Sequence, residues 1–170
     1  MLDQAWDHIG RRDAARLWSL ATIGTDGWPS QRTVVLRGSD RVAGVLEFHT
    51  DLRSPKVVQL AADHRASLMC WLPDIALQIR IKVDVSVRSG AEVEAVWDAV
   101  PTGARVAYGA MPAPSVPIAG PEAYQTTPDP AAFAVLTCCA KQIDVLHLGE
   151  VHQRAIYSRD SDWVGQWVAP

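Results

Sequence analysis

The stretch QRTVVLRGSDRVAGVLEFHTDLRSPK, residues 31–56, decides the fold of this chain. It contains two apolar runs, residues 32–37 and 45–50, that predict neighbouring β-strands separated by a turn. Side chains alternate along a strand, so the first run places apolar and polar groups on both of its faces. One face carries Arg32, Val34 and Leu36, and the other carries Thr33, Val35 and Arg37.

The same stretch ends in the predicted start of a helix. Ser54 suits the N-cap position and Pro55 suits the first helical position. A helix N-terminus attracts anions, and Lys56 adds a positive charge beside it. With Arg32 and Arg37 on the adjacent strand, three cations would gather near free backbone N–H groups. The pattern predicts a binding site for a phosphate monoester. The alternative is that both arginines are ordinary surface residues of a strand.

The rest of the chain predicts many short strands and a few helices. Residues 75–88 alternate most clearly, with one face made of Leu77, Ile79, Ile81, Val83, Val85 and Val87. Further strands are predicted at residues 16–23, 65–72, 132–140, 142–148, 154–158 and 163–168, and helices at residues 2–15, 54–62, 91–100 and 102–108. This order favours a mainly β fold, an antiparallel barrel with peripheral helices, as one domain over residues 1–170.

Two further features of the sequence are a long segment without a strand pattern and three cysteines. Residues 109–130 are rich in proline, glycine and alanine, a composition that cannot form a central strand, so we expect a long covering loop. Cys70, Cys138 and Cys139 lie in apolar runs without the spacing of metal ligands. We therefore expect buried, reduced thiols and no metal site. In a strand, Cys138 and Cys139 would point to opposite faces.

Composition limits the classes of partner. The formal net charge is −3, and the absence of a basic run argues against a nucleic-acid surface. No stretch approaches the ~20 apolar residues of a membrane span, and the first residues lack the apolar core of a signal peptide. We expect a soluble, cytoplasmic protein that binds neither nucleic acid nor membrane.

Five segments in a fixed order make the chain resemble a known family. They are LATIGTDGWPSQRTVVLRG, FHTDLRSPKVVQLAAD, RASLMCWLP, LQIRIKV and a late HQRAIY. Together they are similar to the FMN-binding split-barrel family typified by pyridoxamine 5'-phosphate oxidase. The resemblance implies an antiparallel split β-barrel with FMN as cofactor. It also implies a homodimer with FMN at the subunit interface, and FMN-dependent oxidoreduction of a small-molecule substrate.

The resemblance assigns cofactor contacts to the two strands of the opening stretch. In the family, the first strand holds the flavin phosphate and the ring edge. Arg32 matches the family's arginine, and Arg37 stands where the family has a lysine. In the family, a tyrosine-threonine pair lines the flavin. Thr50 matches this threonine, and His49 replaces the tyrosine. The implied cofactor-binding positions of these strands are Arg32, Thr33, Val34, Val35, Leu36, Arg37, His49 and Thr50.

Further contacts are implied at the helix start and later in the chain. Lys56 matches a phosphate-binding lysine of the family, and Ser54 lies beside it. Pro55 replaces an arginine of the family, and Arg53 would have to supply the missing charge. Beyond the helix, the implied cofactor positions are Gln78, Ser115 and Arg154. Arg154, with His152, matches the family's late histidine and arginine, while Leu146 replaces a tryptophan.

The substrate side departs from the family. Val96, Val100 and Ala104 best match the positions at which pyridoxamine 5'-phosphate oxidases hold the substrate phosphate through polar side chains. The family's arginine before the late histidine is also missing, and Glu150 lies in its neighbourhood. A buried phosphate without cationic partners would not be stable. We therefore expect a flavoprotein that oxidises pyridoxamine 5'-phosphate poorly. The alternatives are a non-catalytic flavin-binding or flavin-sensing protein, and a relative that binds a deazaflavin or haem in the same fold.

Overall fold

A computed structural model describes residues 1–11 and 16–170. The helices are α1 (Leu2–Ile9), α2 (Pro55–Ala62), α3 (Glu94–Ala99) and α4 (Thr102–Arg105). The strands are β1 (Leu17–Ile23), β2 (Pro29–Asp40), β3 (Val45–Asp51), β4 (Arg65–Leu72), β5 (Leu77–Ser89), β6 (Ala110–Met111), β7 (Gln125–Thr126), β8 (Phe133–Leu148), β9 (His152–Ser158) and β10 (Gly165–Val168). In these ranges, no helix has the length and apolar character needed to cross a membrane.

Eight of these strands form one antiparallel sheet in the order β10-β9-β8-β3-β2-β1-β4-β5. β5 also pairs with β8, which closes β8, β3, β2, β1, β4 and β5 into a barrel. β9 and β10 extend the sheet outward from β8. The predicted mainly β, antiparallel split barrel with peripheral helices is therefore confirmed.

The barrel interior is built from alternating apolar side chains. On β5, Leu77, Ile79 and Ile81 are 1% exposed or less, as the period of two predicts. Trp18 and Phe48 fill the interior from β1 and β3. α1 adds Ala5, Trp6 and Ile9 to the same core, and α2 adds Leu60. The predicted first helix ends at Ile9, and its continuation over residues 12–15 lies outside the described residues.

Sequence patterning divided β8 into two strands, and this prediction is wrong. Residues 133–148 form one strand that pairs with β5 along its length. The register shifts between Lys82↔Gln142 and Val83↔Ala140, so Lys141 is an extra residue, a β-bulge. A bulge breaks the side-chain alternation without ending the strand. In the same strand, Cys138 is buried as expected, whereas Cys139 is exposed, which corrects the expectation of three buried thiols.

A fork between β2 and β3 positions the candidate site. The two strands pair only from Leu36↔Phe48 to Asp40↔Val45, with a bulge at Arg37. Residues 29–35 of β2, which precede Leu36, pair with β1 and not with β3. His49, Thr50 and Asp51 of β3 pair with β8. The barrel therefore splits between residues 29–35 and residues 49–51, and α2 follows β3 at this split.

A second, smaller core lies under the short helices. Val93, Trp97, Val100, Tyr108, Phe133 and Val135 form it. The predicted helix at residues 91–100 is a 3-10 turn, Gly90–Val93, followed by α3, and the next one shortens to α4. The predicted loop of residues 109–130 is irregular except where β6 pairs with β7.

Candidate functional site

Three side chains from β3 and α2 form a polar cluster at the fork. The Lys56 Nζ atom donates to Thr50 Oγ1 at 3.0 Å and to Ser54 Oγ at 2.9 Å, and the two hydroxyl oxygens are 3.2 Å apart. Thr50 is 6% exposed and Ser54 is 2% exposed. Ser54 occupies the N-cap position and Pro55 follows it, as predicted, but the Ser54 side chain makes no capping bond. Its hydroxyl group instead belongs to the cluster.

Arg32 of β2 lies across the fork and is held by neutral acceptors. Its Nη1 atom donates to the Leu20 carbonyl at 3.2 Å and to Thr22 Oγ1 at 2.6 Å. Its Nη2 atom donates to Ser30 Oγ at 2.6 Å and to Gln59 Oε1 at 2.8 Å. Burial lowers the pKa of Arg32 from its usual value.

The charges of Arg32 and Lys56 are not neutralised within this cluster. All of their hydrogen-bond acceptors in the described part of the chain are hydroxyl, amide or carbonyl oxygens. The pKa of Lys56 is lowered, first by burial and then by the positive charge of Arg32, while Asp51 acts in the opposite direction. Two nearby cations beside buried hydroxyl groups favour binding of an anion.

Asp51 does not bond to Arg32 or Lys56; its carboxylate binds Arg53 and the base of the covering loop, residues 109–130. Asp51 is 5% exposed, and its carboxylate accepts from Arg53 at Nη2 (2.6 Å), Nε (3.0 Å) and the backbone N–H (2.9 Å). The Gly109 N–H donates to the same carboxylate at 3.1 Å, and Arg53 Nη2 donates to the Ala110 carbonyl at 3.0 Å. Burial would raise the pKa of Asp51, but these bonds outweigh it and the net shift is downward. Arg53 therefore anchors the loop base, so it does not stand in for the arginine that Pro55 replaces.

Arg37 lies apart from the polar cluster. It is exposed on the opposite face of β2 from Arg32, and no hydrogen bond or ion pair to it is found in the described part of the chain. Its charge instead acts on His49: burial, and then Arg37, lower the pKa of His49 to about 4. The His49 ring packs edge to face on Phe133, with ring centres 4.9 Å apart. The structure therefore separates the three predicted cations into a pair and a single residue.

The predicted contacts of the later strands lie on the outer face of the sheet. Gln78 is paired with Leu146 across β5 and β8, and Leu146 with Arg154 across β8 and β9. Arg154 donates to both carboxylate oxygens of Asp144, at 3.1 and 2.9 Å. Thr50 pairs with Ala134 on β8. At roughly 3.3 Å per residue, the 12 residues from Ala134 to Leu146 span about 40 Å along the strand. One chain does not bring these residues to the Lys56 cluster.

The covering loop and the substrate positions have contrasting exposure. Ser115 is exposed with a φ of 70°, near the exposed Val116 and Ile118. Val100 is buried, and Val96 and Ala104 pack against the second core. The three substrate positions thus contact the protein's own interior and offer no polar group.

Sequence reasoning missed the residues that hold Arg32. Gln59 lies three residues after Lys56, a spacing that places both on one side of α2. Thr22 of β1 pairs with Ser30 of β2, two positions along the ladder from the pair Leu20↔Arg32, and so on the same face of the sheet. The register could have suggested Thr22, but nothing in the sequence singles out Gln59. No group of three or more His, Cys, Asp or Glu residues suited to a metal occurs in residues 1–11 and 16–170.

Comparison with known proteins adds independent information. The sequence profile of the family described as "Pyridoxamine 5'-phosphate oxidase, FMN-binding domain" matches residues 1–89. A pyridoxine/pyridoxamine 5'-phosphate oxidase from Thermosynechococcus vestitus is 39% identical over 87 residues, 51% of this chain and 40% of that protein. Pyridoxine/pyridoxamine 5'-phosphate oxidase 2 from Arabidopsis thaliana is 31% identical over 162 residues, 86% of this chain and 80% of that protein. The chain spans less than half the length of the Thermosynechococcus protein.

Solved structures agree with the fold. A pyridoxamine 5'-phosphate oxidase-related, FMN binding protein from Nostoc punctiforme has a TM-score of 0.83 and 29% identity, over 98% of this chain and 96% of that one. A haem binding protein from Mycobacterium smegmatis has a TM-score of 0.57 and 16% identity, over 87% of this chain and 55% of that one. An F420 reductase has a TM-score of 0.53 and 14% identity, over 81% of this chain and 93% of that one. The last two similarities concern the fold alone.

Proposed function

Because this chain belongs to the pyridoxamine 5'-phosphate oxidase family of FMN-binding domains, we propose that it binds FMN at the β2–β3 fork and acts as an FMN-dependent oxidoreductase. The observation that carries the proposal is the pair of cations at the fork, Arg32 and Lys56, which no carboxylate among their bonded partners neutralises. Such a pair favours an anionic partner, and the phosphate of FMN would supply one.

The residues at the fork fit a phosphate monoester. Lys56 and the Thr50 and Ser54 hydroxyl groups can each donate a hydrogen bond to phosphate oxygens, and Arg32 adds its charge. Residues 32–35 of β2 and residues 49–50 of β3 do not pair with each other, so the two strand edges that face the fork can offer backbone groups to a ligand. Ribityl hydroxyl and ring atoms can bond such groups.

The residues around the fork would tune the bound group. FMN, when bound, supplies hydride transfer, and the protein supplies orientation and electrostatics. With a pKa of about 4, His49 is neutral at pH 7, so it can donate or accept a hydrogen bond without adding a charge. Arg37, which has no bonded partner in the described residues, places one positive charge beside it.

The proposal includes a homodimer with FMN between the subunits. Gln78 and Arg154 lie on the outer sheet face, far along β8 from Thr50, so a site containing all three needs a second chain. The same face exposes Leu17 (62%) and Trp71 (43%), a surface suited to contact with another protein. A two-fold dimer would bring the fork of one subunit to the outer face of the other.

An FMN titration tests the site directly. Fluorescence quenching should give FMN an affinity at least about a hundredfold higher than riboflavin, because two charge-assisted bonds are worth roughly 1.5–3 kcal/mol each. Equal affinities would exclude the assignment of the phosphate site. The absorption spectrum of the purified protein separates the cofactors: a flavin spectrum supports the proposal, and a haem or deazaflavin spectrum contradicts it.

A non-catalytic flavin-binding or flavin-sensing protein is the second candidate. It is favoured by the apolar packing of Val96, Val100 and Ala104, where a substrate phosphate would need polar partners. Oxidation of NADPH or NADH by the FMN-loaded protein, followed at steady state, would distinguish an enzyme from a sensor.

The same packing predicts that pyridoxamine 5'-phosphate is a poor substrate. Hydrogen peroxide release from the FMN-loaded protein should stay well below about 1 per second, the low end of typical enzyme turnover. Faster release would show that this surface does hold the substrate phosphate.

A further inference from the structure

We infer that Gln59 is a positioning residue that gives the site its preference for a phosphorylated flavin over an unphosphorylated one. The inference rests on the proposed function and extends it to a residue whose contacts are with Arg32 and Thr22. Gln59 lies on α2, one turn after Lys56. Its Oε1 atom accepts from Arg32 Nη2 at 2.8 Å and from Thr22 Oγ1 at 2.7 Å.

The chemistry of the partners fixes the orientation of the amide. A guanidinium group can only donate, so the amide oxygen must face Arg32. The Thr22 hydroxyl accepts from Arg32 Nη1 at 2.6 Å and donates to Gln59, and Thr22 is 2% exposed. The three side chains form a closed ring of hydrogen bonds that holds the guanidinium group in one place.

The neutrality of Gln59 is the important property. Other arginines of this chain form ion pairs with carboxylates, among them Arg53 with Asp51, Arg65 with Asp63 and Arg154 with Asp144. A glutamate at position 59 would fit the same space and accept the same two bonds, but it would neutralise Arg32. An amide positions the cation and leaves its charge available to a ligand.

α2 therefore aligns two cations from different elements. Lys56 projects from the first turn of the helix toward Thr50 and Ser54. Gln59, on the same side of the helix, fixes Arg32 of β2 close enough for its charge to lower the pKa of Lys56. One helix thus determines the relative position of both charges, although Arg32 is distant in sequence.

The test compares FMN and riboflavin binding in two matched variants. Gln59→Glu should lower the ratio of FMN to riboflavin affinity by about tenfold or more, because the new carboxylate neutralises Arg32 and weakens its attraction for the phosphate. Riboflavin affinity should change by no more than about twofold, since riboflavin has no phosphate. Gln4→Glu adds the same charge on the exposed side of α1 and should leave the ratio unchanged. A general loss of structure would weaken both ligands and would not change the ratio.

Each result has a defined meaning. A ratio in Gln59→Glu equal to that of the wild type overturns the role of Gln59, while the proposed phosphate site stands. A wild-type protein without any FMN preference contradicts the phosphate site itself. If Gln59→Glu does not fold, Gln59→Met decides the question: it removes the acceptor without adding charge. It should also lower the ratio, and an unchanged ratio overturns the inference.

Discussion

Lys56 has an unusual environment for a lysine, since both of its acceptors are buried hydroxyl groups. Replacing it by methionine keeps the length of the side chain and removes the charge. Lys56→Met should weaken FMN binding by about 10- to 100-fold and leave riboflavin binding nearly unchanged. Lys141→Met removes a charge from an exposed lysine and is the matched control. Equal loss of affinity for both flavins would contradict a contact between Lys56 and the phosphate.

His49 should make stability depend on pH. Its folded-state pKa of about 4 lies below the ordinary value of 6.5. Between these values the unfolded chain binds a proton that the folded chain does not, so the free energy of unfolding falls as pH drops from about 6.5 to about 4. The loss attributable to His49 should be roughly 2 kcal/mol, reduced for partial exposure.

Urea unfolding at several pH values measures this slope. His49→Phe should fit among Phe133 and Tyr108 and should flatten the slope in this window. His152→Phe, at an exposed position on β9, should leave it unchanged. A slope that His49→Phe does not alter would assign the pH dependence to other groups.

At the scale of single residues, the sequence was informative for charge and poor for partners. The pattern at Arg32, Ser54 and Lys56 predicted an anion site, and the structure brings these three together. The alternation along β2 already placed Arg37 on the opposite face from Arg32, so the separation of these two cations was visible in the sequence. The bulge at Arg37 was not, because it depends on pairing with β3. Partners such as Gln59 are set by tertiary packing and leave no local pattern.

Among the elements, the base of the covering loop depends on one glycine. Gly109 has a φ of 120°, and a Cβ atom there would lie 2.1 Å from the Thr127 carbonyl oxygen. Its N–H group also binds Asp51. Gly109→Ala should therefore lower the free energy of unfolding by about 2 kcal/mol or more, through strain at positive φ and loss of the loop contact.

Limited proteolysis and urea unfolding test this expectation. Cleavage within residues 109–130 should be faster in Gly109→Ala than in the wild type. Gly103→Ala is the control, because a Cβ atom at Gly103 meets nothing within 4 Å and the residue lies in α4. An unchanged cleavage rate would mean that the loop is held by other contacts.

Elements with regular periodicity were predicted well. β4 has the predicted bounds of residues 65–72, and the alternation of β5 is observed in the barrel interior. Short helices shrank because α3 and α4 are held by packing on the second core, and propensity alone does not fix their ends. The error in β8 has another cause: one extra residue reverses the pattern of burial, and a periodic interpretation takes this reversal for a strand end.

For the whole molecule, the proposed dimer gives a direct prediction. Trp71 is 43% exposed on the outer sheet face, next to Gln78 on β5. Trp71→Glu should weaken dimerisation by at least about a hundredfold, as expected for a buried aromatic interface residue, and should weaken FMN binding with it. Sedimentation over a dilution series measures both, with and without FMN.

The matched control for this prediction is Val42→Glu. Val42 is 98% exposed in the turn between β2 and β3, so a new charge there should not affect association. A wild-type monomer that retains one FMN per chain at low concentration would exclude the interfacial site. Strand patterns alone predicted the mainly β antiparallel barrel, whereas its split form and the dimer came from the resemblance. The sequence of one chain does not show which of its exposed faces is covered.

The long strand β8 has a consequence for the order of events during synthesis. It supplies both ladders that close the barrel, to β3 on one side and to β5 on the other. Residues 1–89, the part matched by the family profile, contain β1 to β5. When only these residues have emerged from the ribosome, the outer edges of β3 and β5 have no partner strand. Until residues 133–148 emerge, the nascent chain presents two unpaired strand edges and half of an apolar interior. This exposed first half also carries all of the residues that we propose to bind the phosphate, namely Arg32, Thr50, Ser54 and Lys56.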